Sequence, residues 1–552
     1  MISALSSTLH SRRFNLNAQK MTKSDCGFQE KENISTTQHL IKSNNYWSNK
    51  YLKNGPIVAG IDNGTQSTKV ICYDVLQKKV VDVGQSKHDL IVENDGTREQ
   101  KASWWVKALK DSFSQINPEV RSKISAIGVS GQQHGFVPVD RNGEVLYNVK
   151  LWCDTSTIEE CDEITQKYGG KDKLLNDGCN LILPGYTAGK ILWLKKHKPE
   201  IYQKLAKILL PHDYLNYILT GRYSMEYGDA SGTALMNIRK RKWSTEILHA
   251  IDEKNDISQL LPNLIKSDEL AGTVTKEAAK YFGIPEGIMV SSGGGDNMIC
   301  AIGTGTVSNG ALTASLGTSA TLFGSSDTPI IDPEGNLAAF CSSTNNWLPL
   351  LCTMNCTVAS ELTRSLFEMN IDEINKISSQ APIGSEGVLM IPFFNGERTP
   401  NYPRGKGCVV GFTPENMTKS NICRSAMESA IFGLKLGLDS FIKQGFEAKE
   451  IRLVGGGSKS KLWRQIIADV CNLPIVVPDV NEAAALGGAL QAYWALLNAH
   501  GENVPIEKIT GEHIQITEST KCKPIPQNVQ KYKHSYAKYL EYVKNFKPLF
   551  SA

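Results

Sequence analysis

Two short hairpin patterns, one in each half of the chain, constrain this sequence more than any other feature. From Ile57 it reads Ile-Val-Ala-Gly-Ile-Asp-Asn-Gly-Thr-Gln-Ser-Thr-Lys-Val-Ile-Cys-Tyr-Asp, two β-rich runs joined by Asn63, Gly64, Thr65 and Gln66. From Ala311 it reads Ala-Leu-Thr-Ala-Ser-Leu-Gly-Thr-Ser-Ala-Thr-Leu-Phe, with Gly317 and Thr318 in the places of Gly64 and Thr65. One Asn-Gly turn between strands is most often only a turn. Two such tips facing each other across a cleft could grip the β- and γ-phosphates of a nucleotide with backbone N–H donors. At the first tip Gly64 permits a tight turn, Thr65 adds a hydroxyl donor, and Asp62 could hold Mg²⁺ directly or through water.

A chain of 552 residues exceeds what one hydrophobic core usually serves, so two lobes with a cleft between them are expected. Neither a Walker P-loop nor G-x-G-x-x-G accompanies the tips, which removes support for P-loop and Rossmann nucleotide sites. With 60 basic and 56 acidic residues the chain lacks the charge excess that suits a nucleic-acid or anionic membrane partner. No run of about 18–20 apolar residues is present, so no membrane span is expected. The 13 cysteines are scattered and without C-x-x-C pairs, which fits a reducing compartment, the cytoplasm first. Residues 1–54, rich in Ser, Asn, Thr and Lys, are expected to be a disordered or targeting extension. They carry no acid up to Ser24 while Arg12, Arg13, Lys20 and Lys23 are basic, the bias of an organelle transit peptide; a polar tail, or translation from Met21, are the other readings.

Val290–Met298 reads Val-Ser-Ser-Gly-Gly-Gly-Asp-Asn-Met and runs into the helix-compatible stretch Ile299–Gly303. The glycines clear space for close approach and a helix N-terminus favours negative charge, so Asp296 could stay ionised and accept a proton; its other reading is a helix cap. Further on, Ile422, Ala426, Ala430, Leu434 and Leu438 recur every four residues as one apolar helix face, on which Ala430, Gly433 and Gly437 allow close approach.

Taken in order, these segments closely resemble the FGGY carbohydrate kinases of the actin and hexokinase superfamily, over roughly residues 56–500 and with the xylulokinase branch as the nearest likeness. The resemblance is carried by the Asp62–Thr68 hairpin, Gly128-Val-Ser-Gly-Gln-Gln-His-Gly135, Trp152-Cys-Asp154 and Gly185-Tyr-Thr-Ala-Gly-Lys-Ile-Leu-Trp193. It continues through Asp229-Ala-Ser-Gly-Thr233, Gly295-Asp296-Asn297, Gly407–Glu428, Gly455-Gly-Gly-Ser-Lys-Ser460 and Glu482-Ala-Ala-Ala-Leu-Gly-Gly-Ala489.

The resemblance implies an α/β, two-domain actin/hexokinase-like (ribonuclease H-like) fold, with mixed sheets flanked by helices. Residues 55–308 would form a sugar- and phosphate-binding domain and residues 309–552 a nucleotide-binding domain, the Glu482–Ala489 helix closing the second lobe. Asp296 falls on the family's catalytic base. Gln133, His134, Trp152, Asp154, Asp296 and Asn297 would contact the sugar. Asn63, Gly64, Thr65, Gln66, Gly317, Thr318, Gly455, Gly456, Gly457 and Ser460 would bind the nucleotide, with Asp62 on Mg²⁺. Where many members have Trp-x-Asp-x-Arg this chain has Ser156, which leaves one sugar contact unassigned. The implied enzyme is a phosphotransferase with an alcohol acceptor, using ATP and Mg²⁺ to convert D-xylulose to D-xylulose 5-phosphate and ADP. Its partners would be a small sugar and MgATP, with a homodimer as one assembly open to it. The alternatives are an FGGY kinase for another ketose or polyol, such as ribulose or glycerol, and a nucleotide-dependent sugar-binding or scaffold protein without turnover.

Overall fold

The computed structural model describes residues 56–550, so the expectations for residues 1–54 lie outside the described residues. Every residue of strand Ile124–Gly131 is buried, as a parallel strand covered on both faces should be, and the neighbouring strand Ile57–Asn63 is nearly so. These two are the centre of a seven-stranded sheet ordered Leu270–Thr273, Met289–Ser291, Ile124–Gly131, Ile57–Asn63, Ser67–Asp74, Lys79–Lys87, with Gly294–Gly295 also pairing Ile124–Gly131. The edge strand Lys79–Lys87 is mostly exposed and carries lysines, a composition that discourages further strand pairing.

A second, six-stranded sheet repeats the plan. Its order is Ala338–Cys341, Trp347–Thr353, Ala320–Gly324, Ala311–Leu316, Glu450–Val454, Ile475–Val476. In both sheets the hairpin strands are antiparallel, and the first hairpin strand then pairs in parallel with a strand from much later in the chain. The mixed, helix-flanked sheets expected above are therefore present twice.

Helix Lys419–Lys443 forms the spine of the second core. Ala426, Ala430, Leu434 and Leu438 are buried as their four-residue period requires, while Ile422 is only half-buried. Its two glycines are not equivalent. A Cβ at Gly437 would stand 2.4 Å from the Leu351 side chain, but one at Gly433 would meet nothing nearer than 3.6 Å, so Gly433 is not required for close approach.

Helix Ala483–Ala499 departs from expectation. Instead of closing the second lobe, it lies on the first sheet, in one apolar cluster with Val58, Ile71, Ala126, Ile299 and Ile302. The contact is backbone on backbone: a Cβ at Gly60 would fall 1.8 Å from the Ala485 carbonyl, and one at Gly487 would fall 1.9 Å from the Ile299 carbonyl. Residues late in the chain thus complete the first lobe. No described helix is long and apolar enough to cross a membrane, and every cysteine among the described residues is a free thiol.

Candidate active site

The first hairpin forms as expected, Asn63 opposite Thr68, with Gly64–Gln66 at its tip. The Gly64 amide closes the turn on the Ser67 carbonyl at 3.1 Å, which leaves the Thr65 and Gln66 amides outside the backbone ladder. The Thr65 hydroxyl is occupied differently from expectation: it donates to Gln132 Oε1 at 3.0 Å and accepts from Trp152 Nε1 at 3.0 Å. Thr65 therefore ties the tip to the segments on either side of it. Asn63 is buried, with Oδ1 accepting from the Thr68 hydroxyl at 2.8 Å, and Gln66 is exposed.

The second tip matches the first. Gly317 N–H closes on the Ser319 carbonyl at 3.0 Å, and the Gly317 and Thr318 carbonyls receive the amides of Thr357 and Cys356 at the start of helix Thr357–Leu366. Beside it runs the glycine loop after Glu450–Val454. Gly455 has φ +84°, and a Cβ there would stand 2.6 Å from the Leu316 carbonyl, so only glycine fits against this tip. Gly456 is open, whereas Gly457 packs against the Trp463 ring. Ser460 caps helix Lys461–Cys471, accepting from the Trp463 amide and donating to Asn375 at 2.6 Å. The glycine loop and the second tip are thus neighbours in one sheet.

A cavity of about 300 Å³ opens beside these elements. Its wall brings together Gln133, His134, Trp152, Asp296 and Asn297, five of the six residues expected at the sugar. Asp154 is not among them. Its carboxylate is fully buried and accepts from the Arg98 amide (2.8 Å), the Ser156 amide (3.0 Å) and hydroxyl (2.6 Å), and Lys150 (3.3 Å), so it fixes the Trp152 loop from behind. The second lobe supplies part of the wall as well, through Ser315, Thr321, Phe340, Cys352, Arg398 and Thr399, where the sequence placed the sugar on the first domain alone.

Asp296 is the first residue of helix Asp296–Gly303, and Gly295 holds the cap position, so its carboxylate is not spent as a cap. Asp296 Oδ1 accepts from the Asn297 amide (2.8 Å) and Asn297 Nδ2 (3.0 Å), and Asn297 Nδ2 also reaches Gln133 Oε1 (3.0 Å). Burial, then the neighbouring Asp62 and Asp229 carboxylates, push Asp296 up to about 7. Burial likewise pushes Asp62 up to about 6, opposed by the hydrogen bond that Ser130 donates to it at 3.1 Å. Gln133 Nε2 is a buried donor without a protein partner.

His134 adopts a left-handed backbone, φ +66°, unusual for a residue with a side chain. Fully buried Lys190 holds it there. Its Nζ donates to the His134 carbonyl at 2.7 Å and to the Gly185 carbonyl at 2.6 Å, and the Thr187 hydroxyl donates a second bond to the His134 carbonyl at 3.2 Å. His134 Nδ1–H donates to the Gly232 carbonyl at 2.6 Å, and the ring lies 4.5 Å from Tyr186, so Nε2 remains as an acceptor. Burial, with Lys190 adding to it, holds this imidazole well below its usual value, in the neutral form.

Two supports escaped sequence reading. Gln491, from the helix that crosses to the first lobe, accepts from Ser291 Oγ (2.8 Å) and the Gly293 amide (2.9 Å) and donates to Ser292 Oγ (3.1 Å) and the Gly293 carbonyl (3.0 Å). It clamps the loop that presents Asp296. Behind that loop His212 bridges Asp229 at 2.5 Å and Asp213 at 3.0 Å; burial lowers its proton affinity, but these carboxylates outweigh it and raise it to about 9. No local motif marks Gln491, because it acts on a segment about 200 residues away in sequence.

Duplicated mixed sheets, each with a hairpin tip that offers free amides, around a cavity holding an aspartate, define an actin/hexokinase-like phosphotransferase. The N-terminal and C-terminal domain models of the FGGY family of carbohydrate kinases match residues 57–303 and 312–496, and the chain belongs to that family. It is 42% identical to the xylulose kinase of Haemophilus influenzae over 88% of this chain and 99% of that one. Among solved structures, a xyloylose kinase from Brucella ovis aligns with TM-score 0.82 at 27% identity, covering 89% of this chain and 100% of that one. A gluconate kinase from Lactobacillus acidophilus aligns with TM-score 0.81 at 25% identity, covering 89% and 98%. The chain is an ATP-dependent kinase that phosphorylates an alcohol group of a sugar.

Proposed function

We propose that the enzyme transfers the γ-phosphoryl of ATP to the 5-hydroxyl of D-xylulose, giving D-xylulose 5-phosphate and ADP, with Asp296 as general base. The observation that carries this reading is the Asp296 carboxylate opening into the same cavity as Gln133, His134, Trp152 and Asn297. These groups offer complementary chemistry for a polyhydroxyl chain: a free donor at Gln133 Nε2, an acceptor at His134 Nε2, and a proton acceptor at Asp296. The 42% identity to a xylulose kinase supports the choice of sugar.

Asp296 takes the proton of the attacking hydroxyl as that oxygen closes on phosphorus, a contribution on the order of 10² to 10⁴ in rate. The Thr65–Gln66 and Thr318–Ser319 amides receive the phosphates from opposite sides, and the Gly455–Gly457 loop with Ser460 receives the adenosine. Mg²⁺ would be held at such a site by one or two carboxylates plus phosphate oxygens and water, and Asp62 fits that role, since Ser130 is the one hydrogen-bond donor to its carboxylate among the described residues. When bound, Mg²⁺ neutralises charge developing on the phosphate oxygens.

The test is an ADP-release assay with MgATP against D-xylulose, D-ribulose, L-xylulose, L-ribulose and glycerol, with the phosphorylated carbon assigned by NMR. Highest kcat/KM on D-xylulose with phosphate at carbon 5 is expected. A better rate on another of these compounds would overturn the substrate.

A further inference from the structure

Arg398 comes from the second lobe and lines the cavity. Among the described arginines, ion pairs hold Arg364, Arg424 and Arg452, and Arg398 is in none of them. The carboxylates nearest to hand are spent elsewhere. Glu397 accepts from the Met354 amide at 2.6 Å, Asn355 Nδ2 at 3.1 Å and the Arg398 amide at 2.8 Å, and Glu334, which also lines the cavity, pairs with Lys443. The guanidinium's own side-chain partner is the Cys352 sulfur, a weak acceptor. A half-buried cation with most of its five donors unspent, facing a cavity, is built for a ligand's acceptors.

Arg398 shares the cavity wall with His134, Tyr186 and Cys352 as well as with Asp296 and Asn297.

We propose that Arg398 is a specificity-determining residue of the sugar cavity, donating hydrogen bonds to an acceptor-only oxygen, the carbonyl of a ketose. This rests on the reading of the cavity as the sugar site. A carbonyl oxygen can only accept, so it takes two N–H donors without leaving a proton unpaired, which a hydroxyl in its place cannot do. The residue also gives the second lobe a direct hand in substrate choice.

The experiment compares wild type with Arg398→Lys and Arg398→Met. Steady-state kinetics with the best ketose of the panel are measured beside the inhibition constant of xylitol, which lacks the carbonyl. The expected result for Arg398→Met is a rise in ketose KM on the order of 10- to 100-fold, with a much smaller change in the xylitol constant and an unchanged KM for ATP. Arg398→Lys, which keeps the charge but not the fork, should recover part of the loss. Equal loss for ketose and xylitol, or a fall in kcat with ketose KM unchanged, would overturn the proposal; the latter places the guanidinium at the phosphoryl group. If wild type prefers a ketose other than D-xylulose, the substrate reading fails and the variants still decide on that ketose. A wild type that turns over only polyols would sink both.

Discussion

Replacing Asp296 by asparagine keeps the size and the hydrogen bonds from Asn297 but removes the proton acceptor. The rate at pH 8 should fall by about 10² to 10⁴, the span of a general base. The pH profile is the sharper test. Burial, with Asp62 and Asp229, raises Asp296 to about 7, and the base works only when ionised. Activity should therefore be lost as pH falls through that value: the ionised fraction is about one half at pH 7 and about one tenth at pH 6, so kcat/KM should drop about fivefold between them. The measurement is kcat/KM for the sugar from pH 5.5 to 9, with MgATP held well below its own KM so that the free enzyme is reported. Asp62→Asn removes a neighbouring negative charge and should move the acid limb to lower pH, whatever it does to the absolute rate. If Asp296→Asn keeps the wild-type limb, or keeps the wild-type rate, Asp296 is not the base.

Lys190→Met leaves the buried Gly185 carbonyl without its donor, at about 1–3 kcal/mol, and leaves the His134 carbonyl with Thr187 alone. A lower denaturant midpoint and a raised sugar KM are expected, with ATP KM unchanged; an unchanged sugar KM would show that His134 holds its backbone alone. Gly433→Ala should stabilise by about 0.5–1 kcal/mol through helix propensity, since its Cβ has room. Gly437→Ala, whose Cβ meets Leu351 at 2.4 Å, should destabilise, and the pair can be compared by urea denaturation; the same sign for both would refute the contact argument.

The sequence by itself settled what depends on local chemistry. Apolar runs around Gly-Thr tips can hardly be anything but hairpins, a four-residue apolar period makes the Lys419–Lys443 helix, and a glycine run before Asp296 leaves a carboxylate on an uncrowded helix start. Tertiary structure decided what depends on distant partners. Asp154 was expected at the sugar because Trp152-Cys-Asp154 resembles a sugar-contacting segment of the family, but four donors from around it turn its carboxylate inward. The Glu482–Ala489 segment resembles a helix that closes the second lobe, yet its small residues let its backbone press onto Gly60 of the first. Arg398 and Gln491 sit in no motif that announces them. Their surroundings are set by distant segments, because burial and hydrogen bonding are properties of the space a residue occupies and the chain order does not carry them.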